Sequence, residues 1–164
     1  MDKEKFLAKL RDSIRAITDG RYFLTERGYQ GQLIAELDRR LNISQNFHDN
    51  AILEQEYQKQ ADKHGITIRP DIILHIPFET GIYNNRSAGN FIVIQLKKGT
   101  SVQKAKEDFD KLDLMFGKLD YPLGIFINID SARTFHDCYT GDYSERLRCF
   151  AVKLTGDEVI ICEQ

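Results

Sequence analysis

Apolar positions change their period twice along this chain. Residues 3 to 17 set Phe6, Leu10, Ile14 and Ile17 at helical spacing, which predicts an amphipathic helix closed by Asp19-Gly20. Thr25 is placed to start a second helix, with Leu33, Leu37 and Leu41 as its stripe, Ile34 beside it and Asn42 as its stop. The pattern then turns strand-like. Residues 51 to 57 (AILEQEY) predict a short strand, and 69 to 75 (RPDIILH) a strand opened by Pro70, which is tolerated at a strand start. A polar segment with Gly81, Asn84, Asn85 and Gly89 leads into NFIVIQLKK, residues 90 to 98. Ser101 predicts the cap of a helix carrying Val102, Phe109, Leu112, Leu114, Met115 and Phe116. Pro122 and Gly124 introduce LGIFINI, and RCFAVKL and EVIIC flank Gly156-Asp157 as a hairpin.

Two helices, three strands, a helix and further strands predict an α/β fold, a central mixed β-sheet flanked by helices on both faces. The 164 residues fit one domain: an N-terminal helix (1–20), a core (25–130) and C-terminal strands (131–164). A hydrophobic content of 41% with 29% charged residues is the balance of an ordinary globular chain. The net charge of -2 excludes a globally basic nucleic-acid binder, so any such contact has to come from a local patch. Cys138, Cys149 and Cys162 show no C-x-x-C spacing, and they read as small buried hydrophobes in a reduced, cytoplasmic protein. The N-terminus is charged throughout, unlike a secretory signal. No apolar run approaches the roughly 18 residues that span a bilayer.

The third strand carries the chemistry. Side chains alternate, so Phe91, Val93, Gln95 and Lys97 share one face, and Ile92, Ile94 and Leu96 the other. The first face turns polar at its end. If 69–75 and 91–97 pair antiparallel, Asp71 lies near Gln95 to Lys97. A carboxylate, an amide oxygen and the Leu96 carbonyl suit a hard cation such as Mg²⁺, and Lys97 can orient a water or stabilise developing negative charge. Burial would lower the Lys97 pKa, and a neighbouring Asp71 would raise it.

Pro70-Asp71, the strand with Gln95-Leu96-Lys97 and the helix after it resemble the PD-(D/E)XK nuclease superfamily. The resemblance covers residues 25 to 130. It implies a restriction-endonuclease-like fold with a core of helix, three strands, helix and strand, and a Mg²⁺- or Mn²⁺-dependent endonuclease acting on nucleic acid, DNA before RNA. Asp71 matches the family's Asp, Lys97 its Lys, and Gln95 stands at the acid position as a Q-x-K variant, which costs the site one negative charge. Glu36, at the edge of the second helix's stripe, matches the helix Glu that completes the metal site. It is also four residues before Arg40, the spacing of a surface ion pair. Glu56 is the substitute ligand. Glu56-Tyr57 and the block Arg69 to His75 also resemble a group of bacterial and phage-related members. Many such enzymes pair subunits, which implies a homodimer.

Around this site Tyr83, Arg86, Lys98, Lys104 and Lys106 form a candidate phosphate-binding rim, though Lys104 and Lys106 can equally solvate a helix face. His75 lies on the Asp71 face but roughly 13 Å along the strand, as a core or edge histidine. A rival reading keeps the fold and gives up catalysis: a weakened nuclease-fold module that binds nucleic acid or a protein partner.

Overall fold

In the computed structural model, which describes residues 2–43, 48–59, 61–85 and 87–164, one sheet carries helices on both faces. The main elements are α1 (Lys3–Arg15), α2 (Glu26–Leu41), β1 (Ile52–Gln55), β2 (Ile72–His75), β3 (Asn90–Lys98), α3 (Val102–Leu119), β4 (Leu123–Ile129), β5 (Leu147–Thr155) and β6 (Glu158–Glu163), with a one-turn helix over Ala61–His64 between β1 and β2. The short polar residues flagged by the sequence bound the helices. Thr25 Oγ1 accepts the Gly28 N–H at 3.0 Å and Ser101 Oγ that of Lys104 at 3.4 Å, each satisfying a donor with no partner inside the helix. Asn42 ends α2 in the left-handed conformation (φ 44). Helix α1 stops at Arg15, earlier than Asp19-Gly20 suggested. There Asp19 caps a 3₁₀ turn over Gly20–Leu24 by accepting the Arg21 N–H at 2.9 Å.

The six strands lie in the order β1-β2-β3-β4-β5-β6. β1–β2, β2–β3 and β5–β6 are antiparallel, and β3–β4 and β4–β5 are parallel, so the sheet is mixed. Helix α3 connects β3 to β4, the crossover that a parallel pair requires. Gly156 at φ 61 makes the tight turn of the β5–β6 hairpin.

Strand alternation divides the core. Ile72, Leu74, Ile92, Ile94, Leu96, Ile125 and Ile127 face α1 and α2, packing on Phe6, Leu10, Ile14, Leu33 and Leu37. Ile73, Val93, Phe126 and Cys149 face α3 with Ala105, Phe109, Leu112, Met115 and Phe116. Phe91 departs from the expected alternation. It packs against the α1/α2 layer, close to where the β2–β3 register shifts between Leu74 and His75. Leu114 is 46% exposed, outside the α3 stripe. Of the three cysteines only Cys149 is a buried hydrophobe. Cys138 is half-buried and Cys162 exposed on β6, because alternation turns Cys162 outward; all three are free. No helix among the described residues is long and apolar enough to cross a membrane.

Helix α3 approaches the sheet at Gly124. A Cβ there would stand 2.3 Å from Phe116 Cζ and 2.6 Å from Cε1, in a packed layer with nowhere to move the ring. Gly31, on the exposed side of α2, has nothing within 4 Å of such a Cβ. Gly124→Ala is therefore expected to destabilise the protein by roughly 1–3 kcal/mol through overpacking. Gly31→Ala is expected to stabilise it by about 0.5–1 kcal/mol through helix propensity. Urea denaturation of both variants checks the opposite signs.

Candidate active site

Polar residues gather where β3 runs out of apolar side chains. Ile73 pairs with Val93 across the antiparallel β2–β3 ladder, so Asp71, two residues before Ile73, comes opposite Gln95 on the α3 face. Asp71 Oδ2 accepts the Leu96 N–H at 2.7 Å. The Asp71 carbonyl accepts the Gln30 side-chain amide at 2.7 Å and the Glu56 N–H at 2.9 Å. One residue is thus pinned from β3, α2 and the end of β1 together. Burial, the largest influence, pushes the Asp71 carboxyl up to about 6, and the charges of Glu26 and Asp108 add to the rise. The Leu96 N–H and the Lys97 charge pull the other way.

The Lys97 ammonium lies at the centre of this group. Its Nζ is 3.1 Å from the Leu96 carbonyl oxygen, 3.3 Å from Glu26 Oε1 and 3.6 Å from Asp108 Oδ2. Burial lowers its pKa, but Asp108, Glu26 and Asp71 outweigh burial and the net shift is upward. Lys97 is a cation and a donor at neutral pH. Gln95 is 2% exposed, and its Nε2 has no hydrogen-bond partner. Asp108 is fully buried; its Oδ1 accepts from Lys111 Nζ at 2.6 Å, while Oδ2 has no hydrogen bond.

Asp71 and Lys97 lie within electrostatic reach of each other, Gln95 falls opposite Asp71 by ladder register, and Leu96 contributes its N–H to Asp71 and its carbonyl to Lys97. Glu36 does not join them. It lies ten residues beyond Glu26 on α2, about 15 Å along the helix axis. Its carboxylate is held by Arg39 at 2.6 Å and by Arg40, so the surface ion pair takes it. Glu26, at the N-terminus of the same helix, is the acid that reaches the site. Glu56 lies beside Asp71 in the sheet, but at φ 50 its backbone is left-handed and its carboxylate pairs with Arg27 at 3.3 Å and Arg69 at 3.6 Å.

The expected rim is only partly in place. Lys104 is exposed on α3 one turn before Asp108, on the site's side of the helix. Lys106, two positions away from each, turns elsewhere and lines a groove with Asp110, Asp113 and Tyr139. Lys98 is paired with Asp130 at 2.9 Å. Tyr83 packs at Gly89, before the start of β3, about 23 Å of strand from Lys97. Arg86 lies outside the described residues. His75 is a satisfied buried histidine, bonded to Glu54 at 3.0 Å.

Three site residues escaped the sequence reading: Glu26, Gln30 and Asp108. Extending the Leu33–Leu37–Leu41 stripe backward at helical spacing reaches Gln30 and then Glu26. Asp108 interrupts the buried stripe of α3 beside Phe109. A polar residue continuing an apolar stripe is the signal that could have found them.

The donor chemistry fits a hard cation. Asp71, Glu26 and the Leu96 carbonyl offer oxygens, and a half-turn of the unpartnered Gln95 amide would present its oxygen in place of its nitrogen. Among the described residues, however, no three His, Cys, Asp or Glu side chains stand close enough together to hold an ion. The Lys97 ammonium lies among the oxygens instead.

Because burial raises its pKa, Asp71 favours folding in its neutral form. That contribution is intact below the ordinary 3.8 and gone above about 6. Asp71→Asn carries no such charge. Its stability relative to wild type is expected to improve by roughly 1–3 kcal/mol between pH 4 and pH 7.5. Urea titrations of both proteins at the two pH values check this, and an equal difference at both would show that the carboxylate is not desolvated. Searches of family models, of curated proteins and of solved structures found no match to this chain.

Proposed function

We propose that this protein is a metal-dependent phosphodiesterase of the PD-(D/E)XK kind, a DNA endonuclease with a Q-x-K motif. The observation that carries this reading is the meeting of Asp71, Gln95 and Lys97 at one end of β3, with Glu26 and Asp108 beside them. The element order α2, β1, β2, β3, α3, β4 supports the restriction-endonuclease-like core implied by the resemblance. Mg²⁺ or Mn²⁺ would be held by Asp71, the Gln95 amide oxygen and the Leu96 carbonyl, with Glu26 in the part expected of Glu36. Such an ion, when bound, lowers the pKa of a water and offsets phosphate charge.

The chain's own groups divide the remaining work. Lys97 stays protonated near neutrality, so it donates to a phosphate oxygen or orients a water and does not take up a proton. The Leu96 N–H fixes the Asp71 carboxylate against the end of the sheet. An open groove of about 430 Å³ lined by Arg27, Gln30, Gln55 and Glu56 adjoins the Asp71 backbone, and Lys104 adds a positive charge on the α3 side. A homodimer would bring two such sites to the two strands of a duplex; this rests on analogy with the superfamily.

A second reading is favoured by one observation. With Gln95 at the acid position and an ammonium already among the acids, the same fold could bind nucleic acid or a protein without cutting. A cleavage assay with Mn²⁺ separates the two. Wild type is expected to nick DNA, Asp71→Asn and Lys97→Ala to lose about 10²–10⁴-fold, and Glu36→Gln to cut as wild type does. Folded wild type that never cuts, or site variants that cut undiminished, would overturn the enzymatic reading.

A further inference from the structure

A lysine ammonium and a divalent cation compete for the same oxygens. Here Lys97 Nζ takes the Leu96 carbonyl at 3.1 Å and Glu26 Oε1 at 3.3 Å, two of the oxygens a cation would need. A cation can enter only if the ammonium has somewhere else to go at little cost.

We propose that Asp108 provides that place: it is a positioning residue that draws the Lys97 ammonium aside when a divalent cation binds. This rests on the reading of the site as cation-binding. Asp108 comes from α3 and is not among the oxygens assigned to the ion. Its Oδ2 is buried, with the side chain 1% exposed, and has no hydrogen bond. A buried charged acceptor left unsatisfied is unfavourable, so a donor is wanted there. Lys97 Nζ is 3.6 Å away, within about 1 Å of a charge-assisted bond. Oδ1 is anchored to Lys111 at 2.6 Å, which keeps Oδ2 aimed at Lys97. A movement of the ammonium by about 1 Å toward Oδ2 would satisfy that acceptor. Gln95 Nε2, the second buried polar atom here without a partner, also marks this end of the sheet as made for a further polar group.

Calorimetry of Mn²⁺ binding to the whole chain tests the coupling. Asp108→Asn is expected to weaken binding about tenfold and Lys97→Met to tighten it several-fold. In the Lys97→Met background the Asp108→Asn change should alter affinity by less than about twofold, since it acts through the ammonium. An equal loss with and without Lys97 would reduce Asp108 to ordinary charge attraction and overturn the proposal, as would weaker binding by Lys97→Met. Should Lys97→Met not fold, Mg²⁺ titration of wild type and Asp108→Asn, followed by the Lys97 side-chain NMR signals, decides. The signals should move in wild type and stay put in the variant, and identical behaviour in both overturns the proposal. Absence of any Mn²⁺ heat with wild type would overturn the cation-site reading as well, whereas binding without the variant pattern overturns this inference alone.

Discussion

The 2.7 Å hydrogen bond from the Leu96 amide to Asp71 Oδ2 ties backbone pairing to side-chain placement. Asp71 immediately precedes β2, and its carboxylate extends the β2–β3 ladder by one more bond at the point where apolar contacts end. Gln30 and the Glu56 amide hold the same residue from behind. The position of the carboxylate is therefore fixed by the sheet and by α2, and only its charge is left for the surroundings to set.

Those surroundings are poorly matched to a charge. Burial raises the Asp71 pKa, Glu26 and Asp108 raise it further, and the Lys97 ammonium is shared among these acids and a backbone carbonyl, with Lys111 reaching only Asp108. A protein selected for stability alone gains little from such a cluster, because desolvated ions replaced by well-packed apolar groups often leave a fold no weaker. A perturbed, buried acid cluster of this kind is the feature on which the proposed cation site rests.

Much of this layout is legible in the sequence. The β2–β3 pairing follows from two apolar runs, each with one polar end, and the helix starts follow from Thr25 and Ser101. The acids supplied by helices are harder to see. Glu36 is conspicuous because it lies between Leu33 and Leu37, yet adjacent positions on a helix are 100° apart, and it turns to Arg39 and Arg40. Glu26 looks like an ordinary first-turn acid; spacing puts it in line with the buried stripe, but its contact with Lys97 depends on where the α2 N-terminus lands relative to β3. Asp108 stands in the apolar stripe of α3, but which atom its carboxylate faces depends on the same long-range packing. Tyr83 and Lys106 fail as rim residues because nearness along the chain is not nearness across a sheet.

The backbone of Glu56 has a further effect. By turning left-handed at φ 50 directly after Gln55, it cuts β1 to four residues, and β1 is one of the two outer strands. Its outer row of unpaired amides and carbonyls is short, so a foreign strand finds little to dock on. The opposite margin, β6, is longer but begins at Glu158 and ends at Glu163. Truncation guards one margin and like charge the other, so strand-by-strand aggregation is disfavoured at both.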